Sequence, residues 1–93
     1  MKVAELYRTS IACPEQYEGT TECGKEIYVK CRGGYARLEL DDEIIAELSW
    51  EDDPYKGMFE NQELFELFDK AGIELDSKFI EPYGVEPYGY ARL

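Results

Sequence analysis

Histidine is missing altogether from this sequence of 93 residues, and with it the side chain that most often serves as general base, proton shuttle or metal ligand near neutral pH. Catalysis would then need a cysteine activated by lysine or a pair of carboxylates, and nothing in the chain sets such groups within hydrogen-bond reach of each other. The sequence therefore predicts a protein that is not an enzyme and needs no cofactor. Cysteine is scarce as well: Cys13, Cys23 and Cys31 are an odd number, with nine and seven residues between them. Structural zinc usually needs a close Cys pair and a fourth Cys or His ligand, so no metal site is expected. Long apolar runs are lacking, and none approaches the roughly 20 residues of a membrane-crossing helix. The opening MKVAELYRTS has one early Lys and no long apolar centre, so neither a signal peptide nor an anchor is predicted, and the expected place is the cytosol.

Positive charge is the remaining shortage. Ten basic residues stand against 21 acidic ones, for a net charge of -11. Such a balance disfavours non-specific binding to nucleic acid or to an anionic membrane and favours basic protein surfaces. With 44% hydrophobic and 14% aromatic residues the chain is nonetheless a folding one. Residues 1–93 suit a single domain that buries roughly 60 to 65% of the unfolded surface.

The best-specified stretch is Lys25 to Leu40, KEIYVKCRGGYARLEL. Gly33 and Gly34 supply the two residues tolerant of positive φ that a type I′ hairpin loop requires. Folding about them pairs Arg32 with Tyr35, Cys31 with Ala36, Lys30 with Arg37, Val29 with Leu38, Tyr28 with Glu39 and Ile27 with Leu40. One face is then wholly apolar and the other wholly polar, and a slip of one residue would destroy both. Cys31 reads as a small core residue and Cys23 as a free thiol in a turn.

Residues 2–12 mix β-branched and aromatic side chains without a helical stripe and predict a strand that Pro14 ends. Gln16 to Thr21 predicts another, joined to the hairpin by the three-residue loop Glu22-Cys23-Gly24, which sets Tyr17 opposite Val29 and Gly19 opposite Ile27. After Leu40 a three-residue loop, Asp41-Asp42-Glu43, would align Ile44 with Leu40, Ala46 with Leu38 and Leu48 with Ala36, leaving Glu47 across from Arg37. A two-residue turn would instead bury Glu47. Glu60 to Ala71 carries Leu64, Phe65, Leu67, Phe68 and Ala71 at helical spacing, with Gly72 and Ile73 as a Schellman stop. The predicted class is α+β: an antiparallel β-meander of four to five strands, with one amphipathic helix packed on its apolar face. Residues 81–93 repeat Glu-Pro-Tyr-Gly and read as an irregular tail, since their prolines exclude a central strand.

The run Ala12-Cys13-Pro14-Glu15-Gln16-Tyr17-Glu18, followed by a short loop, an Ile-Tyr-Val strand, a glycine turn and another strand, resembles small uncharacterised proteins encoded by phages and prophages. The likeness spans roughly residues 10–73, and its distinctive part is Cys-Pro-Glu-Gln-Tyr. The Glu-Pro-Tyr-Gly tail departs from it. The resemblance implies a phage or mobile-element setting, hence the host cell cytosol, and carries no agreed activity.

Two candidate surfaces follow from the charges. Between Glu39 and Asp53 the acidic residues Glu39, Asp41, Asp42, Glu43, Glu47, Glu51, Asp52 and Asp53 occur without a single basic one. Same-face carboxylates two apart on a strand lie at about 6.7 Å, near the spacing of successive phosphates, so a surface of this kind can plug a basic groove. The bland alternative is charge that keeps the protein soluble and guards strand ends. A divalent-ion reading of Glu51-Asp52-Asp53 lacks the alternating acids and glycine of an EF-hand. The second surface is the polar hairpin face, where Tyr28, Lys30, Arg32, Tyr35 and Arg37 interleave aromatics and cations as nucleic-acid binders do. Glu18, Glu39 and Glu47 share its rows and offset its charge, so nucleic acid is an unlikely partner. The expected function is that of a small acidic phage-type protein-binding module, an anti-defence inhibitor of a host nucleic-acid-handling complex such as a CRISPR effector, whose partner presents a basic surface. The alternatives are a nucleic-acid-binding module using the hairpin face, or a structural or assembly protein.

Overall fold

The computed structural model describes residues 1–11 and 14–76. The expectations for Cys13 and for the tail at 81–93 lie outside the described residues. Five strands, β1 (Val3–Ile11), β2 (Glu15–Thr21), β3 (Glu26–Arg32), β4 (Tyr35–Leu40) and β5 (Glu43–Ser49), precede one helix, α1 (Asn61–Ala71). The strands lie in chain order in one sheet, each antiparallel to the next. This is the α+β meander with a covering helix.

The central hairpin has the expected register at every position from Arg32↔Tyr35 to Ile27↔Leu40. Gly33 and Gly34 take φ of 64° and 75°, the positive values of a type I′ turn. Gly34 is also pressed by the segment after β5. A Cβ there would lie 2.7 Å from the Asp53 carbonyl oxygen and 3.0 Å from that of Trp50. Toward β2 the pairs Tyr17↔Val29 and Gly19↔Ile27 form as the three-residue loop requires.

The turn after Leu40 differs from the expected three-residue loop. It is a two-residue turn in which Asp41 and Asp42 adopt φ of 49° and 69°, and Leu40 pairs with Glu43, not with Ile44. Aspartate tolerates the left-handed region better than most residues. Here Asp41 is further fixed by its Oδ1, which accepts a 2.8 Å bond from the Glu26 amide. The register then shifts between Leu38 and Glu39, so one extra β5 residue, Ile45, forms a bulge. Beyond it Ala46, Glu47 and Leu48 face Leu38, Arg37 and Ala36. The bulge removes the objection to the shorter turn, because Glu47 stays on the polar face. Its cost is Ile44, which faces Glu39 and is 49% exposed.

Helix α1 lies over β4 and β5 and buries Leu64, Leu67 and Phe68. Its start is fixed by the Glu60 amide, which donates to Glu63 Oε1 at 2.8 Å. Its end is fixed by Gly72 at φ 73°, where the Gly72 amide donates to the Asp69 carbonyl and the Ile73 amide to the Phe68 carbonyl, both at 3.0 Å. These bonds satisfy carbonyls that a helix end leaves orphaned, and Ile73 folds into the core as the Schellman contact. The chain then reaches the far side of the sheet, where Glu74 bridges Lys2 in parallel and accepts from the Val3 amide at 3.0 Å. Among the described residues no helix is long and apolar enough to cross a membrane.

Val29 sits at the centre of this core, fully buried and flanked by Tyr17 and Leu38. Val29→Asp should unfold the protein by leaving a charge unpaired there, while Lys30→Asp, on the opposite face, should leave it folded. Thermal melts followed by circular dichroism in which both variants stay folded would contradict the face assignment.

Candidate functional site

The face of the sheet opposite the helix carries the interleaved aromatics and cations. Across the strands run a row of Tyr7, Glu18, Tyr28, Glu39 and Ile44 and a row of Ser10, Gln16, Lys30, Arg37 and Glu47. Arg32 and Tyr35 pair beyond them, beside the glycine turn. All five residues of the basic-aromatic surface are thus brought together. One of its three cations and one of its two tyrosine hydroxyls are committed to carboxylates within the face. Arg37 Nε lies 2.6 Å from Glu39 Oε2 and its guanidinium stands 5.7 Å over the Tyr28 ring. The Tyr35 hydroxyl donates to Glu47 Oε2 at 2.8 Å. Among the described residues Lys30 and Arg32 lie outside any ion pair. At the other end of the same face a shallow depression of about 450 Å³ is lined by Glu18, Glu26, Tyr28, Glu39 and Asp42, so carboxylates gather at that end and cations at the end beside the glycine turn.

The eight acidic residues are not brought into one cluster. Asp41, Asp42 and Glu43 stand at the turn that opens β5 and Glu51, Asp52 and Asp53 just after it ends, all exposed. Six steps of roughly 3.3 Å separate Glu43 from Ser49, so the two groups stand about 20 Å apart along one edge of the sheet. Glu39 and Glu47 lie between them on the polar face, committed to Arg37 and Tyr35. Neither β4 nor β5 carries a run of same-face carboxylates, because Arg37 precedes Glu39 and Ser49 follows Glu47 on that face. A row at phosphate spacing is therefore not formed. Among the described residues none of the six turn carboxylates is within ion-pair distance of a cation. No group of three or more Asp, Glu or Cys side chains among these residues is arranged to hold a metal ion.

The most unusual acidic residue belongs to neither surface. Glu15, only 2% exposed, opens β2 on the apolar face, opposite Cys31. Its carboxylate accepts from the Tyr17 hydroxyl and, at 2.8 Å, from the Phe59 amide, and Arg8 Nη1 lies 3.7 Å away. Its own amide donates to the Gly57 carbonyl at 3.0 Å. The cluster fastens the segment entering α1 to the sheet. Burial pushes the Glu15 carboxyl above its usual range, against the lowering effect of these partners. Burial and then the neighbouring carboxylate push the Tyr17 hydroxyl up too, so it remains a donor. Sequence reasoning missed this group, although the signal was present: with Tyr17 facing inward, strand alternation puts Glu15 inward too.

In comparison with known proteins, the chain matches no family model, no curated protein and no solved structure.

The sign of the Glu15 effect is opposite to that of most carboxylates. With the folded value raised, the native state holds the proton more tightly than the unfolded chain, so the stability from this group is greatest below the ordinary value of 4.5 and falls as pH rises from there through the folded value. Glu15→Gln keeps an acceptor but cannot ionise. Urea titrations between pH 4.5 and 7.5 should show the wild type losing ground to Glu15→Gln as pH rises; a constant difference across that range would contradict the raised value.

Proposed function

We propose that this chain is a small acidic protein-binding module of phage type that occupies a basic surface on a host nucleic-acid-handling or defence complex, as an anti-CRISPR inhibitor would, and acts in the host cell cytosol. The observation that carries the reading is the contrast between spent and unspent charge. On the polar face Arg37, Glu39, Tyr35 and Glu47 satisfy one another, whereas the six carboxylates at the two ends of β5 are exposed and outside ion-pair distance of any described cation. Surface ion pairs contribute little to stability and uncompensated like charges oppose it. Six acids on one edge without an ion-pair partner among the described residues are thus a net cost to the fold that binding to lysines and arginines would offset.

The reading does not require imitation of a nucleic-acid backbone. Two acidic groups about 20 Å apart can straddle a cleft, and the acidic depression beside Asp42 can receive one basic side chain of the partner. On the hairpin face, among the described residues, the alternative of direct nucleic-acid binding has only Lys30 and Arg32 outside an ion pair, against a net charge of -11.

Replacing Glu51, Asp52 and Asp53 together by Gln, Asn and Asn should slow association with a basic partner and flatten its dependence on salt, since a screened field steers the encounter. The folded monomer should be unaffected. Full affinity and an unchanged salt dependence would sink the acidic-surface reading, and binding of a DNA or RNA oligonucleotide at low salt would favour the alternative.

A further inference from the structure

The segment from Glu51 to Met58, between β5 and α1, combines features that the acidity of the surface alone does not explain. Its backbone is clamped at both ends. The Trp50 amide donates to the Gly34 carbonyl and the Gly34 amide to the Lys56 carbonyl, both at 2.8 Å, and the Glu15 amide donates to Gly57 at 3.0 Å. Within the loop the Asp53 amide donates to Trp50 and the Lys56 amide to Asp53. Trp50 and Phe59, which bracket it, pack edge to face with ring centroids 6.4 Å apart and join the core. Its one cation turns inward: Lys56 Nζ lies 5.2 Å from the Trp50 ring centroid and 3.1 Å from Glu63 Oε1. What the loop shows to solvent is Glu51, Asp52, Asp53 and Pro54, together with Tyr55 at 88% exposure and Met58 at 52%.

We propose that this loop is the contact element of the acidic module, with Tyr55 as its anchor, and that it fits a lysine- and arginine-rimmed cleft with an apolar floor on a partner protein. The proposal rests on the acidic-surface reading above and names the part of that surface that makes contact. A single exposed tyrosine needs no explanation. The weight lies on its coincidence with a fixed backbone and an inward-turned cation. A preorganised loop loses little freedom on binding, and a tyrosine offers a large amphipathic contact at the cost of two torsions, which is why such side chains dominate binding energies. The three carboxylates beside it demand cations at the rim of whatever receives the ring. Phosphate backbones and anionic lipid surfaces are repelled by the same groups.

The test uses the full chain carrying the photo-crosslinker p-benzoylphenylalanine in place of Tyr55 or, as a control on the open sheet face, in place of Arg32. Each is irradiated in host-cell lysate, and the captured protein is identified, purified and measured against unlabelled variants by surface plasmon resonance. Position 55 should crosslink to a protein with a basic cleft. Tyr55→Ala should then raise the dissociation rate about tenfold or more, with association changed less than about twofold and the urea midpoint unmoved. Capture only from position 32, no capture from position 55, or a dissociation rate within about twofold of wild type would overturn the anchor. If Tyr55→Ala is silent while the Glu51, Asp52 and Asp53 variant slows association, the acidic surface stands without this anchor; if both are silent, both readings fall.

Discussion

The pairing of β3 with β4 around Gly33 and Gly34 is the constraint on which the rest of the sheet depends. It fixes a register in which Ile27, Val29, Cys31, Ala36, Leu38 and Leu40 share one face. The neighbouring strands must then continue that face to bury it. A shift of one residue would carry Lys30, Arg32 and Arg37 into the core, at several kcal/mol for each unpaired charge. The helix, the return of the chain to β1 and the seating of the segment after β5 on Gly34 all presuppose this arrangement.

The same alternation sorts charge. On the open face cations and carboxylates lie close enough to offset one another, as Arg37 does with Glu39 two residues along β4. The acids at the ends of β5 have no cation within ion-pair distance among the described residues, although Asp41 accepts from the Glu26 amide. The division between a balanced sheet face and unbalanced acidic turns is thus a consequence of topology, and the unbalanced part is what a basic partner would meet. The loop from Glu51 to Met58 extends it with an aromatic side chain held out on a rigid support.

The meander and its helix were legible in the sequence because their signals are local: a Gly-Gly turn between alternating runs, a three-residue loop ending in Gly24, a 3.6-residue stripe ending at Gly72. The turn at Asp41-Asp42 was read one residue too long, since the positive φ is carried by aspartates in place of glycines. The bulge at Ile45 that reconciles the shorter turn with a polar-facing Glu47 leaves no mark in a hydrophobic pattern. Of the candidate site residues, alternation placed Tyr28, Lys30, Arg32, Tyr35 and Arg37 on one face correctly. It could not show that Arg37 and Tyr35 are committed to carboxylates, nor that the acids divide between two ends of a strand. The role of Glu15 depends on Phe59 and Gly57, more than forty positions away, and contacts at that range are set by packing.

Selective alkylation of the two described cysteines tests the face assignment most directly. Cys23 is exposed in the loop before β3, and Cys31 is buried on the apolar face between Ala36 and Glu15. Under native conditions iodoacetamide followed by peptide mapping should modify Cys23 readily and leave Cys31 protected until urea unfolds the chain. Modification of Cys31 at the rate of Cys23 in the folded protein would contradict the register from which the core, the open face and the acidic turns all follow.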